Sequence, residues 1–103
     1  MESRTAVEEA FVAKFVVFTT FTSQELRTQH RAEHRVYLHK LVDQGSLLFA
    51  GPFDDDESGG MMVFEAESAE AVSELVDADP FTTGGVFATT TIRPFMLVAG
   101  QVG

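Results

Sequence analysis

Three histidines, His30, His34 and His39, fall close together in the segment Gln29–His39. An imidazole titrates near neutrality, so it can take up and return a proton at working pH. It does this best when a carboxylate holds one ring nitrogen and so sets the tautomer. Arg31, beside them, carries a planar fork of donors that suits a carboxylate or phenolate; a surface ion pair with a neighbouring Glu is the plainer use. The run His30-Arg31-Ala32-Glu33-His34 also fits the H-x-x-E-H pattern of inverted zinc peptidases. Such enzymes need a larger catalytic domain and a third ligand on another helix, so that reading is rejected. His30 and His34 with a carboxylate remain as a weaker metal arrangement, and no metal is expected. His39, five positions beyond His34, is expected to face solvent. Asp54-Asp55-Asp56-Glu57 lacks the spaced ligands of a calcium loop and reads as a solvated hairpin tip.

The chain as a whole narrows the chemistry. Its 103 residues make one domain, long enough to bury a core without staples. The absence of Cys rules out disulfides, thiol redox chemistry and Cys-ligated zinc. A formal net charge of −9 makes phosphate backbones and anionic membranes poor partners. Neither a nucleotide-binding Gly loop, a G-x-S-x-G elbow nor basic–aromatic interleaving is present. No secretory leader or membrane span is legible, so a cytoplasmic location is expected. Ten Phe, one Tyr and no Trp favour dry surfaces: core, interface or pocket.

The elements that must position these groups follow from pattern. Residues 1–10 read as a loose N-terminal arm and 99–103 as a C-terminal tail, flanking one domain over 11–98. Phe11–Phe21 is rich in β-branched and aromatic residues and reads as a strand. Both of its alternating sets are largely apolar, so both faces should be covered. Thr22-Ser23 signal a helix start, and Gly45 ends that helix as a C′ glycine. Ser46–Phe53 reads as a second strand with Gly51-Pro52 near its end, at a sheet edge. Met61–Ala66 is a third strand. Ser68 caps a second helix running to about Ala78, ended by Asp79-Pro80. Phe81–Gly85 reads as a tight connection, and Val86–Val98 as a fourth strand interrupted by Pro94. The order βαββαβ puts both helices on one face of a four-stranded antiparallel sheet, an α+β ferredoxin-like fold. A second copy of the chain, sheet to sheet, is the simplest cover for the other face, so a homodimer is expected.

The helix-to-strand run Arg31-Ala-Glu-His34 through Gly45 to Ala50-Gly51-Pro52 resembles the YciI-like (YCII-related) family. The later Asp77-Ala-Asp-Pro-Phe81 turn and Ile92-Arg-Pro-Phe95 strand resemble it too. The likeness covers roughly 11–98. It implies a dimeric α+β barrel and a pocket holding a His–Asp pair proposed as catalytic; by position these are His34 and Asp79. Relatives of this kind include an enzyme of dehydrochlorination of a hydroxylated ring, and muconolactone isomerases share the wider architecture. The N-terminal arm departs from the family pattern, whose first strand begins almost at once.

The resulting expectation is a small cofactor-independent enzyme acting on a small cyclic substrate by isomerisation or elimination. His34 is the acid and base, Asp79 its partner, and Asp77 the rival for that place. Arg31, Gly51, Pro52, Phe53 and Phe81 are expected around the substrate, with Phe87 as a further pocket aromatic. The competing expectation is a non-catalytic dimeric module that binds a small ligand or a partner protein, in which His34 is structural.

Overall fold

Strand formation begins where β-branched and aromatic residues alternate with residues that tolerate the opposite face. The computed structural model of the protein describes residues 13–101. Phe11, Val12 and the expected arm lie outside these. The elements are β1 (Ala13–Phe21), α1 (Gln24–Asp43), β2 (Leu47–Pro52), β3 (Gly59–Ala66), α2 (Ala69–Asp77), α3 (Pro80–Thr83) and β4 (Phe87–Phe95). The sheet order is β2-β3-β1-β4, with all three neighbouring pairs antiparallel. This is the ferredoxin-like arrangement, with two βαβ-type crossovers carrying the helices over one face.

One alternate set of each central strand makes the core. Phe15, Val17, Met62 and Phe64 pack with Leu41 of α1, Leu47 of β2 and Val72 and Val76 of α2. Complete burial of Phe64 and Val17 contributes on the order of 1.5–3 kcal/mol each. The opposite set of β1 is less covered. Val16 is half-buried, and Phe18 and Thr20 are exposed within the single chain.

Local signals set the helix ends. Ser23 accepts from the Leu26 N–H at 3.1 Å, and Ser68 accepts from the Ala71 N–H at 3.1 Å. At the C-terminus of α1, Gly45 has φ +83°. Its N–H donates to Val42 O and the Ser46 N–H donates to Leu41 O, each at 3.0 Å, closing a Schellman motif. A left-handed glycine is required there, as the sequence indicates.

Three boundaries differ from expectation. Gly59 and Gly60 belong to β3 and not to the hairpin loop. A Cβ on Gly60 would meet Gly51 O at 2.7 Å and Pro52 Cα at 3.1 Å, so the backbones approach there only because side chains are missing. The segment after Asp79 is a helical turn, α3, in place of a plain connection, because Pro80 enters at a first-turn position where its missing N–H costs nothing. β4 runs through Pro94, paired with Phe15, because an edge strand tolerates a residue lacking a donor. It ends at Phe95, and the expected continuation Met96–Val98 is outside the sheet, with Met96 and Val98 strongly exposed.

The glycine pair yields a contrast. Gly60→Ala is expected to destabilise by about 1–3 kcal/mol through overpacking. Gly51→Ala, whose Cβ meets nothing within 4 Å, is expected to stay within about 0.5 kcal/mol. Urea unfolding of both variants checks the difference; equal midpoints would contradict the close approach.

Candidate active site

The site begins with a capping interaction. Asp79 is the N-cap of α3, and its Oδ1 accepts from the Phe81 N–H at 2.8 Å. The same oxygen lies 2.7 Å from Nδ1 of His34. Asp79 is fully buried, while His34 keeps 14% of its side-chain exposure. Asp77, the rival carboxylate, is exposed on α2, so the pairing falls to Asp79. A carboxylate only accepts hydrogen bonds, so Nδ1 carries the hydrogen and Nε2 presents its lone pair. Among the described residues no side-chain hydrogen bond engages Nε2.

Phe81 holds the imidazole a second way. The two rings stack with centroids 3.6 Å apart and planes 3° from parallel. Phe87 meets the imidazole edge-on at 6.3 Å. One short helical turn therefore supplies the hydrogen-bonding partner of His34 and the surface on which its ring rests. α3 is held against α1 from above as well: a Cβ on Gly84 would lie 2.7 Å from the His30 ring. His30 thus packs on the end of α3, with Nδ1 at 3.5 Å from the Glu33 carboxylate. Among the described residues, no group of three His, Asp or Glu side chains is gathered as a metal site.

A cavity of about 320 Å³ opens beside His34, between α1 and the β2–β3 side of the sheet. Its existence follows from the sequence of α1. Only Arg27 and Leu41 of that helix are fully buried, so the middle of α1 puts polar groups where core residues would fill the gap. Beneath them the sheet offers Ala50, Gly51 and Gly60, which leave space. Arg31, Gly51, Pro52, Phe81 and Phe87 line the cavity with His34. Phe53 does not. It lies beyond the end of β2 and is 43% exposed, because the strand exits at Pro52 before the chain can turn that ring inward.

Several wall residues went unread in the sequence. His39 is exposed, as expected, and it also borders the cavity, as do Arg27 and the exposed Arg35. Arg27 is buried, with its guanidinium 4.5 Å from the Phe21 ring centre. Its Nη1 lies 3.1 Å from the Glu57 carboxylate. Glu57 itself has φ +55°, a left-handed conformation uncommon outside glycine. The available signal was the four-residue spacing of Arg27, Arg31, Arg35 and His39, which puts them on one ridge. Tyr37 is the other unread group. Its hydroxyl donates to Leu75 O at 2.6 Å. Burial, and secondarily the negative charge of Asp79, raises its pKa above the ordinary tyrosine value.

The YCII-related domain family matches residues 13–96, which takes in every element of the fold. The chain belongs to the YCII-related family. Protein YciI of Escherichia coli O6:H1 is 35% identical over 85 residues, spanning 74% of this chain and 87% of its own. The uncharacterized protein YjpA of Bacillus subtilis is 35% identical over 66 residues, covering 64% of this chain and 76% of its own. Among solved structures, the 5-chloro-2-hydroxyhydroquinone dehydrochlorinase TftG from Burkholderia phenoliruptrix, in complex with 2,5-dihydroxybenzoquinone, superposes with a TM-score of 0.67. It is 28% identical, with 81% of this chain and 93% of that one covered. A dimeric ferredoxin-like protein from an uncultured marine organism, 15% identical, superposes at TM-score 0.55 over 90% of this chain and 93% of that one, a likeness of fold.

In this YCII-related protein, Tyr37 is a built-in reporter, since it is the one tyrosine and there is no Trp. Its phenolate absorbance is expected to appear above the usual tyrosine range, and Asp79→Asn is expected to bring it partway down. Only partway, because burial is the larger cause. A raised native pKa means that this contribution to stability is complete below the unfolded tyrosine value, near pH 10, and is lost as pH rises through the native one. An absorbance titration that does not move in Asp79→Asn would show that the two groups do not feel each other.

Proposed function

We propose that the protein is a small enzyme in which His34 and Asp79 act as an acid–base pair on a small cyclic substrate. The observation that carries this reading is the 2.7 Å contact between His34 Nδ1 and Asp79 Oδ1, with the other ring nitrogen beside a cavity that His34 lines. Asp79 orients the ring and stabilises the imidazolium that forms after proton transfer. His34 Nε2 takes a proton from a carbon next to a ring carbonyl, or from a phenolic oxygen. The electron pair left behind moves into the ring as an enolate or phenolate. In an isomerisation, His34 returns the proton at another carbon. In an elimination, the enolate pair expels a leaving anion such as chloride from the adjacent saturated ring carbon, and the imidazolium gives its proton to water. On a hydroquinone, the imidazolium first returns its proton to the chlorine-bearing ring carbon, and loss of the second phenolic proton then expels chloride and leaves a quinone. No cofactor enters either path. The likeness to a dehydrochlorinase of a hydroxylated ring supports the elimination form.

The test is turnover of a panel of chlorinated hydroquinones and small lactones. Wild-type protein is expected to convert a member of one class. His34→Asn is expected to lower kcat by at least about 100-fold, within the usual range for general acid–base catalysis. Asp79→Asn retains a cap oxygen for the Phe81 N–H but not the charge, so it is expected to lower kcat without unfolding α3. Unchanged kcat in His34→Asn would end the catalytic reading. Ligand binding without turnover across both classes would favour a non-catalytic binding module.

We also propose that two copies pair through the open sheet face. Phe18 and Phe49 are 39% and 48% exposed. Phe49 is registered with Val63 and Phe18 with Met61, so these residues share the face away from the helices. An apolar strip of this kind is unfavourable in water and is commonly an interface. Sedimentation at micromolar concentration is expected to give twice the chain mass, and Phe49→Glu to give a folded monomer. A wild-type monomer would refute the pairing.

A further inference from the structure

One ridge of α1 carries Arg27, Arg31, Arg35 and His39 at strict four-residue steps, and all four line the cavity beside His34. At 1.5 Å per residue the row runs about 18 Å along the helix. The chain has 7 Lys and Arg against 16 Asp and Glu, yet three of those seven bases line this one cavity and, among the described residues, none of the acids does. Like charges at four-residue spacing oppose helix formation. The Arg31–Arg35 pair is therefore unfavourable by itself, and a bound anion would relieve it.

The three arginines are not equivalent. Arg27 is already neutralised by Glu57 at 3.1 Å and stacked on Phe21, so its charge is satisfied within the fold. Among the described residues neither Arg31 nor Arg35 has a carboxylate within ion-pair distance. Among those residues neither donor fork is engaged, with Arg31 half-buried and Arg35 exposed at the rim. The remaining wall is apolar: Phe21, Leu38, Leu47, Met62 and Phe87. A wall of this kind excludes water and strengthens a charge-assisted hydrogen bond inside it.

We infer that the cavity is built for a small cyclic oxyanion, its charged oxygen on Arg31 and Arg35 and its ring against the apolar wall. The placing of its reacting atom at His34 rests on the acid–base reading above; the anion site itself does not. In the reaction, the same guanidiniums stabilise negative charge that develops on the substrate as the proton leaves. Carboxylate and phenolate share the required chemistry, and the test separates them.

Benzoate, its neutral isostere benzamide, and 4-nitrophenol are titrated into the wild-type protein by calorimetry. The same titrations are run on the double variant Arg31→Gln/Arg35→Gln. Gln preserves helix propensity at these partly exposed sites, and far-UV circular dichroism checks the fold. Benzoate is expected to bind at least tenfold more tightly than benzamide, and to lose at least tenfold in the double variant. If phenolate is the preferred oxyanion, 4-nitrophenol binds more tightly than benzoate and ionises at lower pH when bound, an effect absent in the double variant. Equal affinity for benzamide, undiminished anion binding in the double variant, or no binding of either anion would overturn the inference. His34→Asn is expected to keep anion binding while losing turnover, so failure of the catalytic pair and failure of the anion site are separately visible.

Discussion

The carboxylate of Asp79 is the point on which the site depends. It caps α3 through the Phe81 N–H and holds His34 through Nδ1 with the same oxygen. Phe81, whose backbone is fixed by that cap, supplies the stacking surface for the imidazole. A single buried oxygen thus ties the start of a helix to the orientation of a ring on another helix. Burying a carboxylate is costly unless its hydrogen-bonding capacity is used. Here the two partners that satisfy it also define the geometry of the site. The role of Asp79 in folding and its proposed role in proton transfer are the same contact seen from two sides.

Around that contact, the helix α1 does two jobs that conflict. Its C-terminal half packs Tyr37, Leu38 and Leu41 against the core. Its middle withholds apolar groups and offers arginine and histidine instead. The cavity is what remains when a helix is held in place at its ends and not filled between them. The small residues of β2 and β3 keep the floor low. The chain is acidic overall, which maintains solubility, while the described wall of the cavity carries basic groups.

The amount legible in the sequence followed the range of the interactions. Strand alternation, the Ser23 and Ser68 caps and the Gly45 stop are local, and the elements they define are those observed. The pairing of His34 with Asp79 rather than Asp77 came through family resemblance, because 45 positions separate the two groups. Asp77 ends α2 on its exposed side, whereas Asp79 lies past the helix end as the buried N-cap of α3. Phe53 failed as a pocket residue because its nearness in sequence to Gly51-Pro52 said nothing about where β2 would stop. Arg35 was missed as a wall residue because spacing from His34 was weighed and spacing from Arg31 was not, while His39 is exposed as expected and only borders the cavity.

The sequence by itself determined the order of the strands and the two longer helices, their caps, the apolar stripe of the sheet and the acidic balance of the chain. These depend on residues within a few positions of one another, where backbone sterics and side-chain periodicity act directly. Only the tertiary structure decided which carboxylate meets the histidine, that a cavity survives beside it, and that three arginines are among the residues lining it. Those outcomes depend on where two helices cross one sheet, and no short stretch of chain contains that distance.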